Sequence, residues 1–310
     1  MTTSPVCLPA YVAVDWGTSS FRLWLIGRDG RVLAERRSGE GMTTAARTGF
    51  AEVLQSHLAA IAAPADLPVL ICGMAGARQG WVEAGYLDTP AALADIPVAA
   101  VRVPGQARDI RILPGLAQRA AEAPDVMRGE ETQLLGAAGE LGHGDHLVCM
   151  PGTHSKWVRL SGGKVAGFST FMTGELFEAI AKHTILSHAL AEAGAISGDN
   201  SAFRAAVTRM VANPALATSQ LFSVRAGSLI AGLSPQEAKA RLSGTLIGLE
   251  IAGALSMAAA GTPVALVVSG GLGDLYRQAV AAAGLSPSVI DADAAVRNGL
   301  AAGARALWSL

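Results

Sequence analysis

The sequence has little that would suit a secreted or nucleic-acid-binding protein. Its 310 residues include only three cysteines, Cys7, Cys72 and Cys149, which show no CxxC spacing and cannot all be paired. This usage is typical of a reducing compartment. The net charge of -1 provides no field of one sign that could hold nucleic acid or an anionic membrane surface. These absences favour a cytoplasmic protein with a small-molecule partner.

Long hydrophobic runs and targeting segments are also missing. The longest apolar stretch, residues 246–260, is too short for a bilayer and contains Glu250. Residues 1–9 have neither the basic region nor the apolar core of a secretion signal. Hydrophobic residues nevertheless make up 51% of the chain, which is enough for two domains with separate cores. We therefore expect no membrane segment.

The chain lacks a P-loop and a dinucleotide-binding glycine motif, in which a helix starts directly after the glycines and receives the phosphate. Here the sequence Asp15-Trp16-Gly17-Thr18-Ser19-Ser20 is followed by an alternating run, residues 21–26. A turn at residues 27–30 leads to a third extended run, residues 31–36. The pattern predicts three strands, with a glycine turn after the first and a carboxylate, Asp15, near the end of that strand.

The same order of residue types occurs a second time. Residues 152–165 repeat the glycine turn and its following strands, and each copy follows an apolar strand, residues 11–14 or 147–150. Two matching copies indicate a duplicated fold that binds one ligand. Met150 and Pro151 occupy the place of Asp15 in the second copy. Only the first copy therefore offers a carboxylate for a metal ion.

The remaining pattern alternates between strands and helices, which predicts an α/β architecture. Strands are expected at residues 67–72 and 264–268, and helices at 130–141 and 292–308, with a mostly helical stretch at 174–256. Residues 76–112 are expected to be rich in loops. Ser234 is expected to cap a helix that starts at Pro235. A third glycine cluster, Ser269–Gly273, precedes a helix expected from Asp274.

Together these motifs resemble those of the superfamily of sugar kinases, acetate kinase, actin and heat-shock ATPases, in which two ribonuclease-H-like domains clamp ATP. Residues 15–20 are similar to its first phosphate motif, residues 152–156 to the second, and residues 267–273 to the adenosine motif. The resemblance implies an α/β fold of two duplicated domains, residues 1–135 and 136–310, with the active site in the cleft between them.

Four further segments closely resemble the 2-dehydro-3-deoxygalactonokinase family, namely residues 73–81, 127–136, 151–157 and 170–177. The resemblance implies transfer of the ATP γ-phosphate to the terminal hydroxyl of 2-dehydro-3-deoxy-D-galactonate in galactonate breakdown. Phosphate motifs do not report the acceptor, so a kinase of 2-keto-3-deoxygluconate, another sugar acid or a hexose stays open. An actin-like ATPase module and a sugar-responsive regulator are further alternatives. Because two-fold symmetric dimers are the commonest assemblies, a homodimer is expected.

The resemblance also implies which residues bind the nucleotide and Mg²⁺. Asp15 is expected to hold the metal ion. The expected ATP-binding residues are Asp15, Gly17, Thr18, Ser19, Ser20, Gly152, Thr153, His154, Ser155, Ser269, Gly270 and Gly271.

Phosphorylation of a sugar hydroxyl requires a base, because the hydroxyl loses its proton as it attacks. In related kinases of the glycerol kinase type, a Gly-Asp pair before the second phosphate motif carries this base, and Gly129-Glu130 occupies that place here. Glu130 is therefore predicted to be the base. Glu131 is the competing candidate, because the sequence does not show which of the two neighbours faces the substrate.

A keto-deoxy acid also needs a partner for its carboxylate, and the planar donors of arginine match that group. The loop after the strand that ends at Gly73 contains Arg78, which is the first candidate, together with Gln79 and Trp81. Arg22 and Arg225 are the alternatives.

Overall fold

The computed structural model describes residues 7–308 and 310, which form two compact units. The first unit contains residues 7–142, 163–165, 292–308 and 310, and the second contains residues 143–162 and 166–291. The sequence predicted one boundary, at residues 135 and 136, whereas the first unit extends to residue 142 and also contains residues 163–165 and those from 292 onward. Residues 1–9, in which the sequence shows no secretion signal, lie mostly outside the described residues.

The first part of the chain is dominated by strands. Its elements are β1 (Pro9–Trp16), β2 (Phe21–Gly27), β3 (Val32–Ser38), α1 (Met42–Thr48), α2 (Phe50–Ala60), β4 (Val69–Gly73), β5 (Tyr86–Asp88), β6 (Ala91–Ala92), α3 (Asp95–Val98), β7 (Val101–Arg102), β8 (Ile110–Ile112), β9 (Gly115–Gln118), β10 (Asp125–Met127) and α4 (Glu130–Leu141). A 3-10 turn, Met74–Gly76, follows β4.

Helices predominate in the second part. Its elements are β11 (His146–Met150), β12 (Ser155–Ser161), β13 (Lys164–Phe171), α5 (Thr173–His183), α6 (Ser187–Leu190), α7 (Ser201–Ala212), α8 (Ala217–Ile230), α9 (Pro235–Leu255), β14 (Val264–Val268), α10 (Gly270–Ala282), β15 (Ser288–Asp291) and α11 (Ala292–Trp308). Within the described part of the chain, none of the helices combines the length and the apolar character needed to span a bilayer.

The first unit is built on a sheet with the strand order β3-β2-β1-β4-β8-β7. Strand β1 is antiparallel to β2 and parallel to β4, and β4 is parallel to β8. All five residues of β4 are buried, as expected for a central strand that is covered on both faces. In this register Asp15 lies opposite Arg22 on β2 and opposite Cys72 on β4.

The second unit repeats this topology. Its strands follow the order β13-β12-β11-β14-β15, with β11 antiparallel to β12 and parallel to β14, and β14 parallel to β15. Each unit therefore has a central strand with one antiparallel and one parallel neighbour, and the five strands follow the same order in both units. The predicted duplication of a ribonuclease-H-like domain is confirmed.

Helix α11 belongs to the first unit, although it comes last in the sequence. It packs against α3, α4, β1 and β4. Gly136 of α4 faces the carbonyl of Ala295, and Gly299 of α11 faces the carbonyl of Thr132, so a side chain at either glycine would collide with the other helix. Burial of the apolar face of α11 against these elements explains why the chain returns to the first unit.

Most local predictions are confirmed, because they rest on periodicity and on capping residues. The predicted helices at residues 130–141 and 292–308 and the strand at residues 264–268 have the predicted bounds. Ser234 caps α9 in a full capping box with Glu237. Two predictions were wrong in detail. Helix α10 begins at Gly270 rather than at Asp274, and the predicted loop region contains several short strands and α3.

Candidate active site

The glycine turn of the first unit joins β1 to β2. The amide of Gly17 donates to the carbonyl of Ser20 at 2.9 Å, which closes the turn. The other three residues of the turn, Thr18, Ser19 and Ser20, are exposed. The turn therefore presents its hydroxyl groups and backbone to solvent.

The N-terminus of α1 supports this turn from behind. The amide of Met42 donates to the carbonyl of Gly17 at 2.9 Å, and the amide of Thr43 donates to the carbonyl of Thr18 at 3.0 Å. A Cβ atom at Gly41 would lie 2.5 Å from the Thr18 carbonyl oxygen, so this approach requires glycine. Because the turn carbonyls bind to the helix, the turn is held in one conformation.

The second unit contains the same construction. Residues 151–154 connect β11 to β12, and the amide of Glu175 in α5 donates to the carbonyl of Thr153 at 3.2 Å. A Cβ atom at Gly174 would lie 2.8 Å from the Cα atom of Thr153. The duplication thus extends to the bonds that hold each turn against a helix N-terminus.

Asp15 is bound by Arg22 in the first unit. The Arg22 guanidinium donates to Asp15 Oδ2 through Nε at 3.1 Å and Nη2 at 2.5 Å, and its Nη1 donates to Asp293. Asp293 also accepts from Arg37 Nη2 at 3.1 Å. Burial raises the pKa of Asp15, and the charge of Arg22 opposes this effect. Arg22 is an alternative candidate for binding the substrate carboxylate, but its three guanidinium nitrogens already donate to these two acids.

The two glutamates at the start of α4 have different environments. The Glu131 side chain is fully buried, accepts from the amide of Gly129 at 2.7 Å and from Thr132 Oγ1 at 2.9 Å, and its burial raises its pKa to about 8. Glu130 is half-buried, and its Oε2 accepts from the amide of Arg128 at 3.0 Å. Of the two carboxylates, only Glu130 is exposed enough to meet a ligand.

The predicted sugar loop follows β4. Arg78 and Gln79 are exposed, whereas Trp81 packs into the core of the first unit. The Trp81 ring stacks on Phe50 with a centroid distance of 6.1 Å and contacts Trp16 edge-on at 6.2 Å. Trp81 therefore positions the loop. Arg225, the remaining carboxylate candidate, lies half-buried on α8 of the second unit, so the structure does not place it with Arg78 in one unit.

The second unit contains a cavity of about 490 Å³ beside its glycine turn. Gly152 and Thr153 of the turn line it, together with Leu246 of α9 and Gly271 and Tyr276 of α10. The structure thus brings two predicted nucleotide motifs to one cavity, the turn through Gly152 and Thr153 and the third glycine cluster through Gly271. Because Gly270 begins α10, these glycines contribute first-turn amides of a helix rather than a loop.

A buried polar network joins the turn to α9 and α10. Ser155 Oγ lies 2.9 Å from the hydroxyl of Tyr276, which donates to Glu250 Oε2 at 2.8 Å. The other Glu250 oxygen, Oε1, accepts from Trp157 Nε1 at 2.7 Å. Burial raises the pKa of Glu250. Ser155, a predicted nucleotide residue, is buried and therefore supports the turn through this network.

The exposed side of the same turn carries an ion-pair contact. His154 Nε2 lies 2.6 Å from Glu175 Oε2, and both side chains are about half exposed. Lys156 is buried in β12, and its Nζ donates to the carbonyl of His154 at 3.4 Å. These contacts fix the backbone of the turn from the strand side and from α5.

The sequence profile described as 2-keto-3-deoxy-galactonokinase matches residues 15–302, from the carboxylate before the first turn to the closing helix. The chain belongs to the 2-keto-3-deoxy-galactonokinase family.

Individual relatives of this kinase match over nearly the whole chain. A Rhizobium meliloti (strain 1021) protein named as a probable 2-dehydro-3-deoxygalactonokinase is 67% identical over 300 residues, 97% of this chain and 98% of that protein. The 2-dehydro-3-deoxygalactonokinase of Escherichia coli (strain K12) is 36% identical over 292 residues, 94% of this chain and 96% of that protein. A crystal structure of a Sinorhizobium meliloti protein named for the same activity has a TM-score of 0.95 at 67% identity, covering 97% of this chain and 100% of that one.

Three residues that contact predicted site residues were not themselves predicted from the sequence. Asp293 contacts Arg22 across 271 positions of the chain, and Tyr276 contacts Ser155 across 121. Neither pair has a local signal. Arg128 had one, because it directly precedes the Gly129-Glu130 pair in a segment that resembles the family.

Proposed function

We propose that this kinase transfers the γ-phosphate of ATP to the terminal hydroxyl of 2-dehydro-3-deoxy-D-galactonate and forms the 6-phosphate. For a chain of this family, one structural observation supports this activity. In both units a backbone amide at a helix N-terminus donates to the carbonyl of the residue after the turn glycine, Thr18 or Thr153, and only the first turn follows a carboxylate. Phosphoryl transfer needs such amide cradles and an asymmetric metal ligand.

The nucleotide base and ribose belong, in this proposal, in the 490 Å³ cavity of the second unit. Small-molecule sites are mostly apolar with a few placed polar groups. Leu246, Ile247, Leu272 and Tyr276 supply the apolar wall of this cavity. The turn at Gly152 lines the same cavity, which suits phosphates attached to the ribose.

Asp15 would hold Mg²⁺. Among residues 7–308 and 310, no three His, Cys, Asp or Glu side chains cluster in a way that could cage a metal ion. A single carboxylate nevertheless fits Mg²⁺, which commonly takes one or two carboxylates together with substrate phosphates and water. When bound, the ion neutralises charge on the phosphates. Arg22 neutralises Asp15 in the structure as it stands.

Glu130 is the proposed general base. The carboxylate is half-buried and lies at the N-terminus of α4. Gly129 approaches the Cα atom of Gly73, and a Cβ atom at Gly73 would lie 3.5 Å from Asp15 Oδ1, so the start of α4 lies near the metal carboxylate. Glu130 would accept the proton of the attacking hydroxyl, while the buried Glu131 holds the Gly129 amide.

We further propose a cytoplasmic location and a homodimer. The cysteines Cys7, Cys72 and Cys149 are all free, and two of them are buried, which suits a reducing compartment. The homodimer rests on the prevalence of two-fold assemblies alone, and the solution mass of the purified kinase tests it.

The test of the proposed activity is ADP release measured over a panel of 2-keto-3-deoxy acids and neutral hexoses, with ³¹P NMR to locate the new phosphate ester. We expect 2-dehydro-3-deoxy-D-galactonate to have the highest kcat/KM and the product to carry its phosphate on the terminal carbon. Asp15→Asn should abolish turnover, whereas Asp29→Asn, at an exposed turn of the same unit, should not. A preference for neutral hexoses would refute the acceptor, and an active Asp15→Asn enzyme would refute the metal assignment.

A further inference from the structure

The guanidinium of Arg128 is partly buried and has few hydrogen-bond partners. Nη2 donates to the carbonyl of Gly85 at 2.8 Å, but Nε and Nη1 have no partner. The ring of Tyr86 lies 4.4 Å from Cζ in a cation–π contact. Gly76 leaves room for the group, since a Cβ atom there would lie 2.9 Å from Nη1.

The charge of Arg128 also lacks a counter-ion. No ion pair to this guanidinium is present among the residues that the structure describes, whereas Arg22, Arg37, Arg111 and Arg119 all pair with acids. Arginine stays protonated in proteins, so its charge is permanent. A partly buried cation without an acid loses part of its hydration, which destabilises the fold. An anionic ligand would offset this cost. Its attraction to the unpaired guanidinium would strengthen its binding.

Arg128 lies between two parts of the proposed sugar site. Two residues later in the chain is Glu130, whose carboxylate accepts the backbone amide of Arg128 at 3.0 Å. Its guanidinium points instead to Gly76, in the turn that opens the predicted sugar loop, and to Tyr86. The cation and the base are thus held by different partners. A chain-like acid carries a hydroxyl at one end and a carboxylate at the other, so it needs a base and a cation at different positions.

We propose that Arg128 binds the carboxylate of the sugar-acid substrate and thereby sets the preference of the kinase for acids over neutral sugars. The assignment rests on the proposed function, and it differs from the prediction of Arg78. Arg78 is exposed, so water competes for its donors. Arg22 is already bound to Asp15 and Asp293. Arg128 is half-buried, its Nη2 lies at the exposed side, and its charge is not compensated by an acid among the described residues.

The test compares the sugar acid with its primary amide, which has the same size without the charge. Wild type should prefer the acid. Arg128→Met should raise KM for the acid about 10- to 100-fold, as expected for the loss of charge-assisted hydrogen bonds, and should bring the ratio of kcat/KM for acid and amide close to one. KM for ATP should stay within about twofold, because the nucleotide contacts are elsewhere. If the methionine variant does not fold, Arg128→Gln keeps an amide donor for the Gly85 carbonyl and gives the same comparison.

Two control variants separate this role from a general loss of positive charge. Arg119→Met removes an exposed arginine of the same unit that pairs with Asp88, and it should keep the wild-type ratio. Arg78→Met should keep it as well. A folded Arg128 variant that retains the acid preference overturns the inference, as does loss of that preference in Arg78→Met. Failure of the wild type itself to phosphorylate the acid would instead refute the proposed function.

Discussion

Arg22 holds Asp15 through two nitrogens of its guanidinium, Nε at 3.1 Å and Nη2 at 2.5 Å from Oδ2. The two residues lie opposite each other on β1 and β2, so the sheet register places the cation beside the proposed metal ligand. Asp293 shares the same guanidinium through Nη1. Asp15 and Asp293 therefore share one arginine, and α11 contributes Asp293, which also binds Arg37.

Asp293 should influence the metal dependence of the reaction although it does not touch the turn. Asp293→Asn removes a negative charge that shares the Arg22 guanidinium with Asp15. The guanidinium will then neutralise Asp15 more fully and compete with Mg²⁺ for this carboxylate. The pair is partly exposed, so we expect an effect of about 1 kcal/mol, or roughly a fivefold rise in the half-saturating Mg²⁺ concentration. Steady-state rates over a Mg²⁺ titration at saturating ATP measure it.

Asp109→Asn is a matched control for this experiment. Asp109 also binds an arginine, Arg111, and a residue of α11, Trp308. Asp109 precedes Ile110, which pairs with Val69 on β4. Val69 lies three residues before Cys72, the β4 neighbour of Asp15, so Asp109 is roughly 10 Å from Asp15 along the sheet. Its loss should lower stability without changing the Mg²⁺ dependence. Equal Mg²⁺ curves for wild type and Asp293→Asn would contradict the coupling.

The two glutamates of α4 should differ sharply in catalysis. Glu130→Gln removes the proposed base and should lower kcat about 10²- to 10⁴-fold with KM for ATP nearly unchanged. Glu131→Gln changes a fully buried group that faces the protein, so its kcat should fall less than about tenfold. Coupled ADP-release assays on variants with wild-type circular dichroism spectra provide the comparison. An active Glu130→Gln enzyme would refute the assignment.

Glu131 should also make the stability of the kinase depend on pH. Its pKa is about 8 in the folded protein, against an ordinary value of 4.5. Between these values the folded state holds a proton that the unfolded state has released, so the free energy of unfolding decreases as pH rises from about 4.5 to 8 and levels off above that. The contribution is on the order of 5 kcal/mol at most.

Glu131→Gln cannot titrate and isolates this contribution. Its free energy of unfolding should decline less between pH 5 and pH 8 than that of the wild type, whatever its stability at one pH. Urea unfolding at several pH values measures both slopes. Parallel curves for the two proteins would show that Glu131 does not carry a raised pKa.

Tyr276 should stabilise the second unit and its glycine turn together. Tyr276→Phe leaves Ser155 Oγ and Glu250 Oε2 without this partner, which should cost about 1–3 kcal/mol in the free energy of unfolding. Because Ser155 begins β12 directly after the turn, KM for ATP should rise as well. Tyr86→Phe, at an exposed tyrosine, should change stability by less than about 0.5 kcal/mol. A Tyr276→Phe protein as stable as wild type would contradict the role of the network.

The sequence was informative where structure depends on neighbours in the chain. Alternating side chains and a glycine turn predicted the β1–β2 and β11–β12 hairpins, and Ser234 before Pro235 predicted the start of α9. The unequal residues at the two turns, Asp15 and Met150, also follow from the sequence alone. Local periodicity and capping need only a few adjacent residues, which is why these predictions agree with the structure.

The choice between chemically similar residues depended on the tertiary structure. Glu130 and Glu131 are identical side chains, and only the packing of α4 buries one and leaves the other half-exposed. The arginines likewise differ only in their partners. Arg22 meets Asp293 across 271 positions of the chain, whereas Arg128 meets no acid among the described residues. By itself the sequence determined the two hairpins and the carboxylate that one of them has; burial and long-range charge pairing, which exist only in the folded chain, decided which glutamate and which arginine are available to a ligand.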